Sequence, residues 1–161
     1  MRRLPRLASR TPLLCHRGMI PTARVLGVDP GSARIGLALS DEIGCMAHPL
    51  RTLRGGSEAE NARAIAEVVR EKSSPAVILG LPRNMNGTYG PAAEKSRALA
   101  AALQPLTEAR IILWDERLTT AAATRRLQEA GRNSREQRGV IDQAAAVQIL
   151  QDWLDAQTPL A

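Results

Sequence analysis

The sequence predicts an α/β protein with one folded domain, built on a five-stranded mixed sheet with helices on its faces. Three apolar strand patterns follow one another through short turns, which is typical of an antiparallel meander. Two later apolar strands are each followed by a helical pattern, which favours parallel pairing through crossovers. The length of 161 residues suffices for one sizeable hydrophobic core.

The meander opens the folded part of the chain. Residues 24–29 form a short apolar run that ends on an acid, the pattern of a buried strand. A Pro-Gly-Ser turn at 30–32 precedes a second strand at 34–40, and a third strand is predicted over 44–53.

A helix is predicted next. Ser57 and Glu60 have the spacing of a capping box, so the helix begins there and runs to about Lys72. Its predicted apolar stripe is Ala59, Ala62, Ile65, Ala66 and Val69.

The second half of the chain alternates strands and helices. Residues 76–80 are apolar throughout, which indicates a strand buried on both faces, and residues 110–114 form the fifth strand. Residues 81–90 form a polar loop. The stretch 132–138 is also polar, and of these two segments we expect only the stretch 132–138 to be mobile. Three further helices are predicted, from Pro91 to about Gln104, from about Thr119 to Ala130, and from about Val140 to Ala156.

Composition excludes several classes of protein. No apolar run approaches the ~18 residues of a membrane helix, and no secretory signal is recognisable, so we expect a cytoplasmic protein with no membrane partner. Cys15 and Cys45 are far apart, which excludes a disulfide scaffold and a cysteine zinc site. His16 and His48 are the only histidines, which disfavours a histidine metal site.

The excess positive charge is confined to the N-terminal segment. The net charge is +6, but six of the 22 basic residues and none of the 16 acidic residues lie in residues 1–24. A basic footprint on the body must therefore be local. We expect residues 1–23 to be a disordered extension and 24–161 to be the folded domain. Three interpretations of the extension are open: an organelle transit peptide, a phosphate-binding arm, or an upstream over-read with Met19 as the true start.

Carboxylates stand where the predicted elements meet the core. Asp29 ends one apolar strand, Asp115 and Glu116 end another, and Asp142 begins the inward-facing stripe of the last helix. That stripe is Ala145, Ala146, Ile149 and Trp153. Ionised carboxylates near a core are costly unless they are paired or bind a metal.

If these acids converge, their repulsion requires a cation, and an all-oxygen ligand set suits Mg²⁺ or Mn²⁺. Two such ions can support phosphodiester cleavage without a histidine. Each acid also has a simpler interpretation. Asp29 can be a turn former, Glu116 can pair with Arg117 or Arg125, and Asp142 can be a helix N-terminal charge favoured by the dipole.

The loop 80–90 leaves a buried strand and enters a helix, the usual place for a ligand in an open α/β sheet. Its candidate phosphate-binding side chains are Arg83, Asn84, Asn86 and Thr88. The alternative is an ordinary connection with a turn at Asn86. Among the three aromatic residues, Trp114 and Trp153 are expected in the core and Tyr89 at the surface. A nucleic-acid partner would therefore be recognised by its phosphates and shape.

Four segments taken together, 28–38, 80–88, 115–120 and 141–150, resemble the YqgF/RuvX family, whose members are related to the Holliday junction resolvase RuvC. The resemblance covers residues 24–156 and implies an RNase H-like fold. It implies that Asp29, Glu116 and Asp142 are the catalytic, metal-binding acids, with Asp115 ranked below Glu116. Family members often carry a lysine shortly before the helix acid, and here Arg138 stands in that region.

The resemblance implies a nuclease that matures the 5′ end of 16S ribosomal RNA with Mg²⁺ or Mn²⁺, two ions being expected. Arg34, Arg83 and Arg117 are the candidates for holding phosphates, and Asn84, Asn86 and Thr88 for shaping the loop; Arg34 and Arg117 can alternatively pair with the acids. The expected partner is precursor 16S RNA.

Other functions remain open. Resolution of branched DNA junctions needs two active sites and hence a symmetric homodimer, and the sequence leaves monomer and homodimer open. A ribosome-assembly factor that binds RNA without cutting it is a second alternative. An actin-like ATPase is disfavoured because that fold needs two such domains.

Overall fold

The computed structural model describes residues 23–115 and 135–157, with side chains from residue 142 onward in the second segment. The elements are β1 Leu26–Pro30, β2 Arg34–Ser40, β3 Ala47–Arg54, α1 Glu58–Lys72, β4 Ala76–Leu81, α2 Pro91–Leu103, a 3-10 turn Gln104–Leu106, β5 Arg110–Asp115 and α3 Arg135–Gln157. The helix predicted over 119–130, the stretch 132–134 and residues 1–22 of the N-terminal extension lie outside the described residues.

The five strands form one mixed sheet in the order β3-β2-β1-β4-β5. The first three strands pair antiparallel, and β4 pairs in parallel with both β1 and β5. The predicted meander and crossovers are confirmed. As a result, the carboxyl ends of β1, β4 and β5 lie at one edge of the sheet, together with the start of β2 and the end of β3.

Each face of the sheet carries its own hydrophobic core, because side chains alternate between the faces along a strand. On the face that we call the α1/α2 face, residues such as Leu26 and Val28 pack with α1 and α2. On the opposite face, called the α3 face, residues such as Val25, Ala38 and Ile78 pack against α3.

The capping box of α1 is confirmed. The Ser57 hydroxyl accepts the Glu60 backbone N–H at 3.3 Å, and the Glu60 carboxylate accepts the Ser57 backbone N–H at 2.7 Å. That backbone hydrogen bond holds the pKa of Glu60 below its ordinary value. Four of the five predicted stripe residues are buried, whereas Ala59 is exposed in the first turn and Val68 is buried instead.

The third strand begins at Ala47 rather than at residue 44, because residues 41–46 form a turn held by a side chain. The Asp41 carboxylate accepts the backbone N–H groups of Cys45 and Met46 at 2.8 and 3.2 Å, and Gly44 has a φ of 70°. This satisfied turn competes with strand pairing.

The last helix, α3, begins at Arg135, five residues before the predicted start at Val140. The polar composition of 135–138 and Gly139 favours a loop, but polar residues are also compatible with the first turn of a helix. The predicted stripe Ala145, Ala146, Ile149 and Trp153 is buried, as expected.

Within residues 23–115 and 135–157, each helix is too short or too polar to span a lipid bilayer.

Two glycines allow α3 to lie directly on the sheet. A Cβ atom at Gly36 would lie 1.9 Å from the backbone oxygen of Asp142, and one at Gly27 would lie 2.7 Å from the Cβ of Leu150. Real Cβ atoms do not approach other atoms so closely, so both positions require glycine for this packing. The backbone of Asp142 therefore rests on β2 at Gly36.

Glutamine side chains anchor α3 to β3 at two points. Gln151 accepts the backbone N–H of Ala47 at 2.9 Å and donates to the backbone oxygen of Cys45 at 3.0 Å. Nearer the N-terminal end of α3, Gln143 donates to the Thr52 hydroxyl at 3.2 Å. These bonds lie on the same side of the helix, so they set its rotation about its own axis.

One acid on α3 is held in an unfavourable environment. Burial raises the pKa of Asp152, a hydrogen bond from Gln148 at 3.0 Å opposes that rise, and the charge of Asp155 adds to it. The Oδ2 atom of Asp152 is buried and has no hydrogen-bond partner in the part of the chain that the structure describes.

Replacing Gly36 with alanine should destabilise the fold by about 3 kcal/mol, because α3 must move off the sheet. Urea unfolding measures the loss. Gly87→Ala is the matched control, since its Cβ meets nothing within 4 Å and only its φ of 81° is unfavourable, a cost of roughly 1 kcal/mol. Equal losses in the two variants would contradict the packing argument.

Asp152→Asn should raise the melting temperature at neutral pH. The pKa of Asp152 is higher in the folded than in the unfolded chain, so its stabilising contribution is full below the unfolded value and is lost as pH rises through the folded value. The gain from the amide should therefore shrink toward pH 3–4. Glu67→Gln, an exposed acid on α1, is the control and should change little at either pH. An increase in melting temperature that persists at pH 3–4 would contradict the raised pKa of Asp152.

Candidate functional site

The first site residue is Asp29 near the carboxyl end of β1. It is 6% exposed and belongs, with Gly27, to the α3 face of the sheet. Its partner across the antiparallel pair is Gly36, so the two residues stand side by side on the same face. A buried carboxylate in this position must be stabilised by its surroundings.

Asp142 is brought to the same place by α3. The missing side chain of Gly36 would point directly into the backbone of Asp142, and Gly36 is the cross-strand neighbour of Asp29. Asp29 and Asp142 are therefore neighbours on the α3 face, although most of the chain separates them in sequence. Two of the three predicted acids come together here. Gln143, the next residue, is held by Thr52, which pairs with Gly36 on the other side.

Arg34, one of the candidate phosphate-binding residues, begins β2. It lies two residues before Gly36 and so belongs to the same face, where it is partly buried. The turn that leads to it is tight, because a Cβ at Gly31 would lie 2.4 Å from the Arg34 backbone oxygen. The Pro-Gly-Ser segment therefore fixes Arg34 close to Asp29.

Asp115 lies on the other face. Ile112 and Trp114 of β5 pack into the α3-face core and Ile111 into the opposite core, so alternation assigns Asp115 to the α1/α2 face. Its carboxylate accepts the Tyr89 hydroxyl at 2.9 Å and lies 3.7 Å from the guanidinium of Arg83. Asp115 therefore lies on the opposite face of the sheet from Asp29 and Asp142.

Other predicted site residues follow β5 in the chain. Glu116, Arg117 and Arg125 lie outside the described residues, and the side chain of Arg138 is not described. Within residues 23–115 and 142–157, no group of three histidine, cysteine, aspartate or glutamate side chains could hold a metal ion.

The loop between β4 and α2 is held by its own polar groups. Asn84 donates its backbone N–H to Thr88 at 2.8 Å and accepts from Gly87 at 3.0 Å. The Asn86 side chain accepts both the backbone N–H and the hydroxyl of Thr88, at 3.1 and 2.5 Å, and the Asn84 amide donates to that hydroxyl at 3.1 Å. In this structure the three polar side chains bond to one another and shape the loop, while Met85 at its tip is 85% exposed.

Arg83 contacts the aromatic ring of Tyr89, as does Arg97. The guanidinium groups of Arg83 and Arg97 lie 4.7 and 4.8 Å from the centre of the Tyr89 ring, the geometry of cation–π contacts. Tyr89 is 40% exposed, as expected, and Trp153 is in the core. Sequence reasoning missed Arg97, since nothing marks one arginine on a solvated helix as the neighbour of a loop tyrosine.

Comparison with known proteins decides the family. A family model described as RuvX, Holliday junction resolvase, matches residues 23–156, a span that includes both acids and the loop. The chain belongs to the RuvX family. The resemblance of the four sequence segments is thereby confirmed.

Relatives within the RuvX family are similar over almost their full length. The chain is 46% identical to a protein of Anaeromyxobacter sp. (strain K) over 84% of this chain and 99% of the relative. It is 43% identical to one of Halalkalibacterium halodurans over 83% and 97%. Both relatives carry the name "Putative pre-16S rRNA nuclease".

The fold is also found in a solved resolvase. The structure of Fowlpox virus resolvase with Holliday junction DNA matches with a TM-score of 0.52 and 10% identity, over 84% of this chain and 99% of that protein. At that identity the likeness concerns the fold. Together with the sheet order, it supports the predicted RNase H-like fold for this RuvX-family chain.

Replacing Tyr89 with phenylalanine should cost about 1 kcal/mol of stability, because the hydrogen bond to Asp115 is lost while the ring remains over the two arginines. A double-mutant cycle with Asp115→Ala, followed by urea unfolding, measures this coupling. If the two single losses add without interaction, the bond contributes nothing to stability.

Proposed function

We propose that this chain is a metal-dependent nuclease that hydrolyses phosphodiester bonds in nucleic acid, and that its substrate is precursor 16S ribosomal RNA, whose 5′ end it matures. The observation that carries the proposal is the meeting of Asp29 and Asp142 across Gly36 in a member of the RuvX family. The names of the relatives support the choice of RNA.

The donor set fits Mg²⁺ or Mn²⁺. Asp29 is almost fully buried beside a second carboxylate residue, an arrangement that a divalent cation would stabilise. We propose that Asp29, Glu116 and Asp142 together hold two metal ions. When bound, the ions would lower the pKa of the attacking water and stabilise the leaving oxygen.

The fold holds the proposed metal-binding carboxylates in position. Asp29 stands on a central strand, and Asp142 stands on a helix whose rotation is fixed by the Gln143–Thr52 bond. Rigid supports of this kind keep ligands in productive geometry. We propose that Arg34, Arg83 and Arg117 hold phosphates, with Asn84, Asn86 and Thr88 shaping the loop beside them.

A second candidate substrate is branched DNA. The description of the RuvX family favours it, since that description is Holliday junction resolvase. Cutting a junction symmetrically requires two active sites, so this activity predicts a homodimer, whereas RNA trimming is compatible with a monomer. In either case we propose that the protein works in the cytoplasm.

Asp29→Asn, Glu116→Gln and Asp142→Asn should each lower metal-dependent cleavage by about 100-fold or more, the scale of losing one electrostatic stabiliser of a transition state. The assay compares fluorescent precursor 16S RNA, single-stranded DNA and four-way junctions, with Mg²⁺, Mn²⁺ or EDTA.

Asp155→Asn is the matched control for that assay, because Asp155 lies on α3 but near its other end and bonds to Gln151. The Asp155→Asn variant should cleave each substrate at the wild-type rate. Cleavage that survives loss of Asp29 or Asp142 would refute the site, and preference for junctions over precursor RNA would favour the second substrate.

A further inference from the structure

Two arginines face each other across β2 and β3 beside the carboxylates. Arg34 and Arg54 are direct cross-strand partners, two residues along from the pair of Gly36 and Thr52. Thr52 is bonded to Gln143 of α3, so alternation assigns Arg54, like Arg34, to the α3 face. A bond from the Gly55 N–H to the Ala33 oxygen at 3.0 Å fixes this register at the end of the strands.

Like charges directly opposite each other in a sheet are destabilising, so the pairing needs a reason. The side chain of Arg54 is exposed and has no hydrogen bond or ion pair with any residue that the structure describes. Arg51 on the same strand shows the contrast. It pairs with Glu71 of α1 and holds the pKa of that carboxyl below its ordinary value. The fold thus neutralises one arginine of β3 and leaves the charge of the other exposed.

The pair of Arg34 and Arg54 lies close to the candidate site. Asp29 stands opposite Gly36, and Arg34 lies two residues from Gly36, about 7 Å along the strand. A nucleic-acid strand with one phosphate at the carboxylates would bring a neighbouring phosphate toward the arginines. Guanidinium groups bind phosphate oxygens through two parallel hydrogen bonds, so a phosphate can be held between two of them.

We propose that Arg54 is a substrate-binding residue, which together with Arg34 holds a backbone phosphate next to the one that is cleaved. This inference rests on the proposed nuclease function and adds a residue that sequence reasoning did not single out. Because phosphate contacts position a strand without reading its sequence, the pair would set the register of the substrate and not its base preference.

The test compares Arg54→Gln with Arg51→Gln, which removes the same charge from the same strand on the opposite face. Binding of a fluorescent single-stranded RNA to the full chain is measured in EDTA over a range of salt concentrations. Arg54→Gln should weaken binding several-fold at low salt and reduce the slope of log K against log salt by about 0.7, the value for one phosphate of a single strand. Arg51→Gln should leave the slope unchanged.

Cleavage kinetics give a second readout. Arg54→Gln should raise KM and leave kcat close to the wild-type value, because Arg54 binds a phosphate that does not react. Arg54→Lys should recover the salt slope and only part of the affinity, since lysine keeps the charge without the paired donors. Melting temperatures of all three variants verify that they are folded.

The outcomes separate this inference from the proposed function. If the wild type cuts RNA and the Arg54 and Arg51 variants have the same slope and KM, the phosphate pair is overturned and the nuclease stands. If the wild type neither binds nor cuts any nucleic acid, both proposals fall.

Discussion

The contact between the backbone of Asp142 and β2 at Gly36 is the constraint on which the candidate site depends. With a side chain at residue 36, α3 could not reach the sheet, and Asp142 would stand away from Asp29. The same contact fixes what surrounds it. Gln143 reaches Thr52 because the helix is low on the sheet, and the stripe from Ala145 to Trp153 is buried for the same reason.

The two faces of the sheet divide the polar groups between them. The α3 face carries Asp29, Asp142 and Arg34 near the carboxyl end of β1. The α1/α2 face takes Asp115, which is occupied by Tyr89 and Arg83. Strand alternation explains the division, because successive residues along β5 up to Asp115 point to opposite faces of the sheet.

Local signals in the sequence predicted most of the fold. The capping box at Ser57, the uniformly apolar strand after residue 76 and the stripe that follows Asp142 each depend on neighbours a few residues away. Asp29 and Asp142 were found because charge is rare beside apolar periodicity. Arg54 and the Tyr89–Asp115 bond were not found, since cross-strand register and contacts between a loop and a distant strand leave no local pattern. The start of α3 was missed because a polar stretch is compatible with both a loop and the first turn of a helix.

The placement of α3 also has a consequence for synthesis. Asp29 lies on β1 and Asp142 on α3, the first and last elements of the described fold, so their meeting is a contact between its two ends. Strands β1 and β2 can pair early, but they expose Gly27, Gly36 and the apolar α3 face until the final helix is released. A nascent or C-terminally truncated chain that lacks α3 would lack Asp142 and would expose an uncovered hydrophobic surface, which makes it prone to aggregate.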